Sequence, residues 1–154
     1  MGILLSGADI IDLALQTEVK GEAFYRQAVA QSTSPEAREL FTYLADQEQH
    51  HKQVFEKLGD TIVAADLSPE EWQEALDYIN ATVGQTFFSD GTPIRSIAVG
   101  STFREMVERA ITFEQQTLLF FYSMRELVQQ SERELIDKIV TEERAHVRRL
   151  AAMR

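Results

Sequence analysis

The residues of this chain whose types and spacing can do chemistry fall into two matching sets. Glu18 is followed by Glu48 and His51 in the run EQHH, and Glu114 is followed by Glu143 and His146 in the run EERAH. Each set is a lone Glu on one expected helix and a Glu-x-x-His on the next. The two separations agree, since 48 − 18 is 30 and 143 − 114 is 29. Carboxylate and imidazole together suit hard to borderline metal ions. Two helical hairpins, each offering two carboxylates and one imidazole, can therefore hold two ions between them.

The cost of burial supports this expectation. An unpaired buried carboxylate costs several kcal/mol or shifts its pKa until it is neutral. Four converging carboxylates repel one another, and two divalent cations cancel their charge. The i, i+3 spacing puts each Glu and His on one helix face, within reach of one site. A single Glu-x-x-His is commonly a surface Glu beside a core histidine. Here the pattern occurs twice, each copy in mid-seam, and uses two of the three histidines in the chain. The donor set favours iron, with manganese as the alternative. Zinc prefers fewer ligands in tetrahedral geometry, and calcium or magnesium rarely takes histidine.

Neighbouring residues rank lower. Glu22 lies one turn beyond Glu18 and is a candidate extra ligand, or a surface Glu beside Arg26. Glu142 and His50 adjoin the ligand positions but point about 100° away, which reads as a solvated face. Tyr25 could relay an electron or proton, although an aromatic core position is the simpler account. Phe24, Phe113, Phe120 and Phe121 read as packing around a dry pocket. Trp72 has no assigned role.

Four long helices must position these residues. Ser6 with Asp9 opens the first, which runs to about Gln31. Ser34 and Pro35 open the second, which runs to Leu58, with Gly59 as its stop. Thr102 with Glu105 forms a capping box for the third, ending near Gln130, and Ser131 with Glu134 forms one for the fourth. The seams alternate by three and four: Ile11, Leu15, Glu18, Glu22, Tyr25 and Val29; Phe41, Leu44, Glu48, His51, Phe55 and Leu58; Val107, Ala110, Glu114, Thr117, Phe121 and Met124; Ile136, Ile139, Glu143, His146, Leu150 and Met153. These faces turn to the core. Short links within each pair predict antiparallel hairpins. The long crossover between Leu58 and Ser101 carries a short helix opened by Ser68-Pro69-Glu70-Glu71 and running to about Asn80. A loop with Gly84, Asp90-Gly91 and Pro93 follows. Two hairpins joined in this way make an all-α, ferritin-like four-helix bundle, expected as one domain over residues 1–154.

Composition narrows the function classes. The chain has no cysteine, which excludes disulfides, thiolate zinc and iron–sulfur clusters, and fits a reducing, cytoplasmic compartment. Its net charge of −10 argues against nucleic acid or an anionic membrane as partner. No apolar run approaches the roughly 18 residues of a membrane span. The N-terminus does not read as a signal peptide. Met1-Gly2 with Ser6 fits the loose myristoylation pattern, but Ser6 reads more simply as a helix cap.

At these residues the chain resembles the rubrerythrin branch of the ferritin-like superfamily, in which two helices each give a Glu and two give Glu-x-x-His to a di-iron centre. The matching stretches are EVKGEAFY, LFTYLADQEQHH, ITFEQQTLLFFY and TEERAHVRRL, together nearly all of the chain outside the crossover. The resemblance implies that Glu18 and Glu114 are terminal ligands, that Glu48 and Glu143 bridge two irons, and that His51 and His146 cap one iron each. Two features depart from the peroxide-reducing members. No four-cysteine rubredoxin module is present, and Thr117 stands where an additional Glu is usual. The six-ligand set is thus more similar to a generic di-iron oxidase or ferroxidase centre. The expectation is two iron ions per chain, oxidation of Fe(II) by O₂ or peroxide, an external electron donor and a homodimer. The alternatives are an iron-storage protein using the same centre for entry, and a helical interaction module without metal.

Overall fold

A computed structural model describes residues 7–58, 64–84 and 97–154. Its helices are α1 (Gly7–Gln31), α2 (Pro35–Leu58), α3 (Pro69–Ile79), α4 (Phe103–Leu127) and α5 (Arg133–Ala152). A π-helical turn, Asn80–Gly84, extends α3, and a 3-10 turn, Gln130–Glu132, leads into α5. The α1–α2 and α4–α5 pairs are the closely packed hairpins, and α3 lies in the crossover against α4. This is the expected ferritin-like four-helix bundle. Among the described residues, no helix is long and apolar enough to cross a membrane.

Local chemistry starts most of these helices where expected. Ser34 Oγ accepts from Ala37 N at 3.1 Å, and Thr102 Oγ1 accepts from Glu105 N at 3.1 Å. Ser68 forms a reciprocal capping box with Glu71. The box expected at Ser131 and Glu134 does not form. The helix begins at Arg133, its cap is Glu132 in helical geometry, and no side-chain cap bond is made there. α4 also stops at Leu127, short of Gln130. The cause is tertiary. Val128 is extended and bridges Ala64, while Ala65 N donates to Leu127 O at 2.9 Å. The crossover thus takes the backbone that another helical turn would need. Met153, expected on the last seam, caps α5 and is exposed. The expected features at Ser6, Gly59, Asp90, Gly91 and Pro93 lie outside the described residues.

The core is split. One apolar cluster gathers Ile10, Ile11, Phe55, Phe121, Met124 and Ile136, with Trp72, Ile79 and Val83 of the crossover. The other gathers Phe24, Tyr25, Phe41, Leu44, Met106 and Leu150. Each long helix contributes to both, and the residue types change partway along. Between the two clusters each long helix places one buried Glu, and α2 and α5 each add one histidine. Burying large apolar side chains on both sides, at about 1.5–3 kcal/mol each, is what can hold a charged layer in the middle.

Candidate metal centre

All six residues are buried: Glu18, His51, Glu114 and Glu143 show no exposed area or almost none, and Glu48 and His146 barely more. They converge from four helices into two overlapping groups. Glu18, Glu48, His51 and Glu143 form one, and Glu48, Glu114, Glu143 and His146 form the other, with donor atoms in each within 4.8 Å of one another. Glu48 and Glu143 belong to both. Both histidines turn Nδ1 inward. His51 Nδ1 lies 2.8 Å from Glu143 Oε1 and 3.6 Å from Glu18 Oε2. His146 Nδ1 lies 3.0 Å from Glu143 Oε2 and 3.5 Å from Glu114 Oε1. The two rings stack at 5.9 Å.

The layer is electrostatically unfinished. Burial, then the charges of Glu143 and its neighbours, push Glu48 well above the usual carboxylate range. Burial does the same to Glu18. Glu114 is pushed up to about 8, by burial first and then by the Glu143 charge, against the pull of His146. Glu143 moves the other way. Burial would raise it, but the His146 and His51 imidazoles beside it outweigh burial and hold it ionised. Burial opposes protonation of the histidines, yet the carboxylates carry His51 to about 9 and His146 to about 11.

Hydrogen bonding gives the sharper test of fit. Seven buried side-chain atoms have no hydrogen-bond partner among the described residues: both oxygens of Glu18, both of Glu48, Glu114 Oε2, Glu143 Oε1 and His51 Nδ1. All seven belong to this cluster. Each unsatisfied buried group costs about 1–3 kcal/mol, more when charged. Six oxygens from four carboxylates and one nitrogen from the His51 imidazole, with His146 Nδ1 beside them, suit a pair of divalent cations. No disulfide or thiolate competes for them.

Around this layer the structure places the other candidates. Glu22 turns to the surface and pairs with Arg26 at 3.9 Å and Lys52 at 3.8 Å, apart from the convergent groups. His50 is exposed, as expected. Thr117 is buried and donates to Phe113 O at 3.0 Å, so it adds no carboxylate. Tyr25 is fully buried and donates to Glu114 Oε1 at 2.5 Å. It packs as a core aromatic and also touches the site. Glu142 differs from the solvated-face reading. Its Oε2 lies 2.6 Å from His51 Nε2, and its side chain is 33% exposed. The 100° offset turns Glu142 away from its own site face and toward α2 across the groove.

Sequence reasoning missed one further residue. A Cβ on Gly21 would lie 3.0 Å from Glu48 Cδ and Oε2 and from Phe113 Cε1. Only a hydrogen at this position lets the shared carboxylate approach α1. A glycine inside a helix, about 1 kcal/mol worse than alanine there, is the signal that could have found it.

A family model described as rubrerythrin matches residues 9–154. A solved structure from Thermotoga maritima, described as a ferritin-like diiron-carboxylate protein, is similar over 97% of this chain and 94% of its own. The two share 24% identity with a TM-score of 0.64, a likeness of fold. Comparison with curated proteins finds none that matches. The match over nearly the whole length, carried by the helices that build the buried layer, means that the chain belongs to the rubrerythrin family.

Proposed function

We propose that this chain is a di-iron protein that oxidises Fe(II) with O₂ or a peroxide. The observation that carries the reading is the set of seven buried, unpartnered donor atoms, all in one layer. Glu18 and Glu114 would each hold one iron, Glu48 and Glu143 would be shared, and His51 and His146 would each give Nδ1. When bound, the iron pair supplies two electrons to the oxidant, one from each Fe(II).

The chain's own residues set the conditions for that chemistry. The apolar clusters on either side keep bulk water from the layer, which strengthens every electrostatic contact within it. Tyr25 holds its proton against Glu114, because burial and the charges of Glu114 and Glu48 raise its pKa. In this reading an external donor supplies the reducing equivalents for a further cycle. The same reading takes the protein as a homodimer, the commonest closed assembly.

Anaerobic Fe(II) titration, followed by O₂ or peroxide and watched optically, tests this. Two Fe(II) bound per chain and rapid oxidation at that stoichiometry are expected. Saturation at one ion or none would remove the di-iron assignment. Assembly into a shell that accumulates mineral would move the function to storage.

A further inference from the structure

The two histidines are backed differently. His51 gives Nδ1 to the cluster and its Nε2 to Glu142 at 2.6 Å. His146 also turns Nδ1 inward, but its ring packs edge-on against Tyr43 at 6.4 Å. The Arg149 guanidinium lies 4.0 Å over that tyrosine. In the hairpin duplication the position matching Glu142, one before the shared Glu, is Gln47 on α2. A carboxylate therefore stands behind one imidazole, and the matching position on the other hairpin is uncharged.

The difference has a chemical consequence. A carboxylate that accepts from the outer N–H of a ligating histidine fixes the tautomer, leaves the inner lone pair free and raises its basicity. Glu142 does this for Nδ1 of His51, the nitrogen that has no hydrogen-bond partner of its own. At the other position the ligand electronics run the opposite way. Tyr25 donates to Glu114 Oε1 and draws electron density from that carboxylate. Both features act in the same sense.

We propose that Glu142 is a positioning residue that makes the two metal positions unequal, so that the Glu18–His51 position fills first and the Glu114–His146 position second. The inference rests on the two-metal reading above. It gives loading a fixed order, in which the ion at His51 neutralises Glu48 and Glu143 before the second ion arrives.

The test is a titration of the metal-free full chain with Co(II) under argon, followed by calorimetry and visible absorption. Wild type should bind in two steps, the first tighter. Glu142→Gln keeps the shape and removes the charge. It should weaken the first step by about 10–100-fold and leave the second in place, so that the two steps draw together. Glu142→Asp, which keeps the charge, should recover part of the loss. At one equivalent of Co(II), proton NMR of wild type should show one hyperfine-shifted, exchangeable imidazole N–H. That signal belongs to His51 and should exchange faster with water in Glu142→Gln. Two ions bound with equal affinity by wild type, or an unchanged first step in Glu142→Gln, would overturn the proposal and leave the two-metal reading standing. Fewer than two ions bound by wild type would overturn both. Should Glu142→Gln not fold, the wild-type N–H decides, and a first-step signal from His146 instead of His51 overturns the ordering.

Discussion

At the residue scale, the four buried carboxylates do different work although they are chemically alike. Glu143 is held ionised by two imidazoles, whereas Glu48 is driven toward its neutral form by burial and by its acidic neighbours. Their isosteric substitutions should therefore separate in the metal-free protein. Glu48→Gln removes a disfavoured charge and should raise the melting temperature, by about 2–4 °C per kcal/mol for a chain of this size. Glu143→Gln strips both imidazoles of their counter-charge and should lower it, since breaking a buried pair costs about 3–5 kcal/mol. Both should lose two-metal loading. Melting curves in chelator check the first contrast, and equal shifts of one sign would mean that the acids are interchangeable. Gly21→Ala sets two effects against each other. Helix propensity gains about 1 kcal/mol, while the new methyl meets Glu48 and Phe113 at 3.0 Å. The Glu48 carboxylate is the mobile partner and should give way. Metal affinity should fall while the metal-free melting temperature hardly moves; unchanged affinity would mean that the close approach is unimportant.

At the scale of elements, what was legible in the sequence is what depends on local chemistry and period. Ser34, Ser68 and Thr102 announce their helices because a cap is a bond between near neighbours. The six site residues are legible because helical period alone carries them inward, and the duplication repeats the signal. Contacts between distant segments were not legible. Val128 leaves α4 to bridge Ala64, which no pattern near Gln130 reveals, and Ser131 then falls inside the 3-10 turn, one residue before the Glu132 cap of α5. Glu142 was read from its own helix, where it faces away. Its partner His51 lies 91 residues earlier in sequence, on another hairpin. Trp72 likewise takes its role from distant segments, because the crossover packs it into the core with Ile79 and Val83. Trp72→Ala should cost about 3–5 kcal/mol. Because α3 supplies none of the convergent donors, metal stoichiometry in Trp72→Ala should stay as in wild type. A parallel loss of metal at temperatures well below melting would show that the crossover also shapes the centre.

At the scale of the whole molecule, a core divided by a charged layer ties stability to pH and to metal together. In the metal-free chain Glu18, Glu48 and Glu114 are raised, Glu114 to about 8, and His51 and His146 are raised to about 9 and about 11. A raised group holds its proton more tightly when folded than when unfolded. Its stabilising contribution is complete below the unfolded pKa, 4.5 for Glu and 6.5 for His, and is lost as pH climbs through the folded value. Glu143 runs the other way, and its contribution disappears only in acid. Between pH 6 and pH 9 the raised groups dominate, so the metal-free chain should become steadily less stable, by at most about 1.4 kcal/mol per pH unit for each group titrating. Metal ions need these same donors deprotonated and bind the native state, so their stabilisation grows over the same interval. The melting temperatures of chelated and reconstituted protein should therefore diverge as pH rises from 6 to 9, with most of the movement in the chelated form. Scanning calorimetry of both forms at pH 6, 7.5 and 9 measures this. A chelated protein equally stable at both ends of that range would mean that the four carboxylates do not share one buried layer in solution.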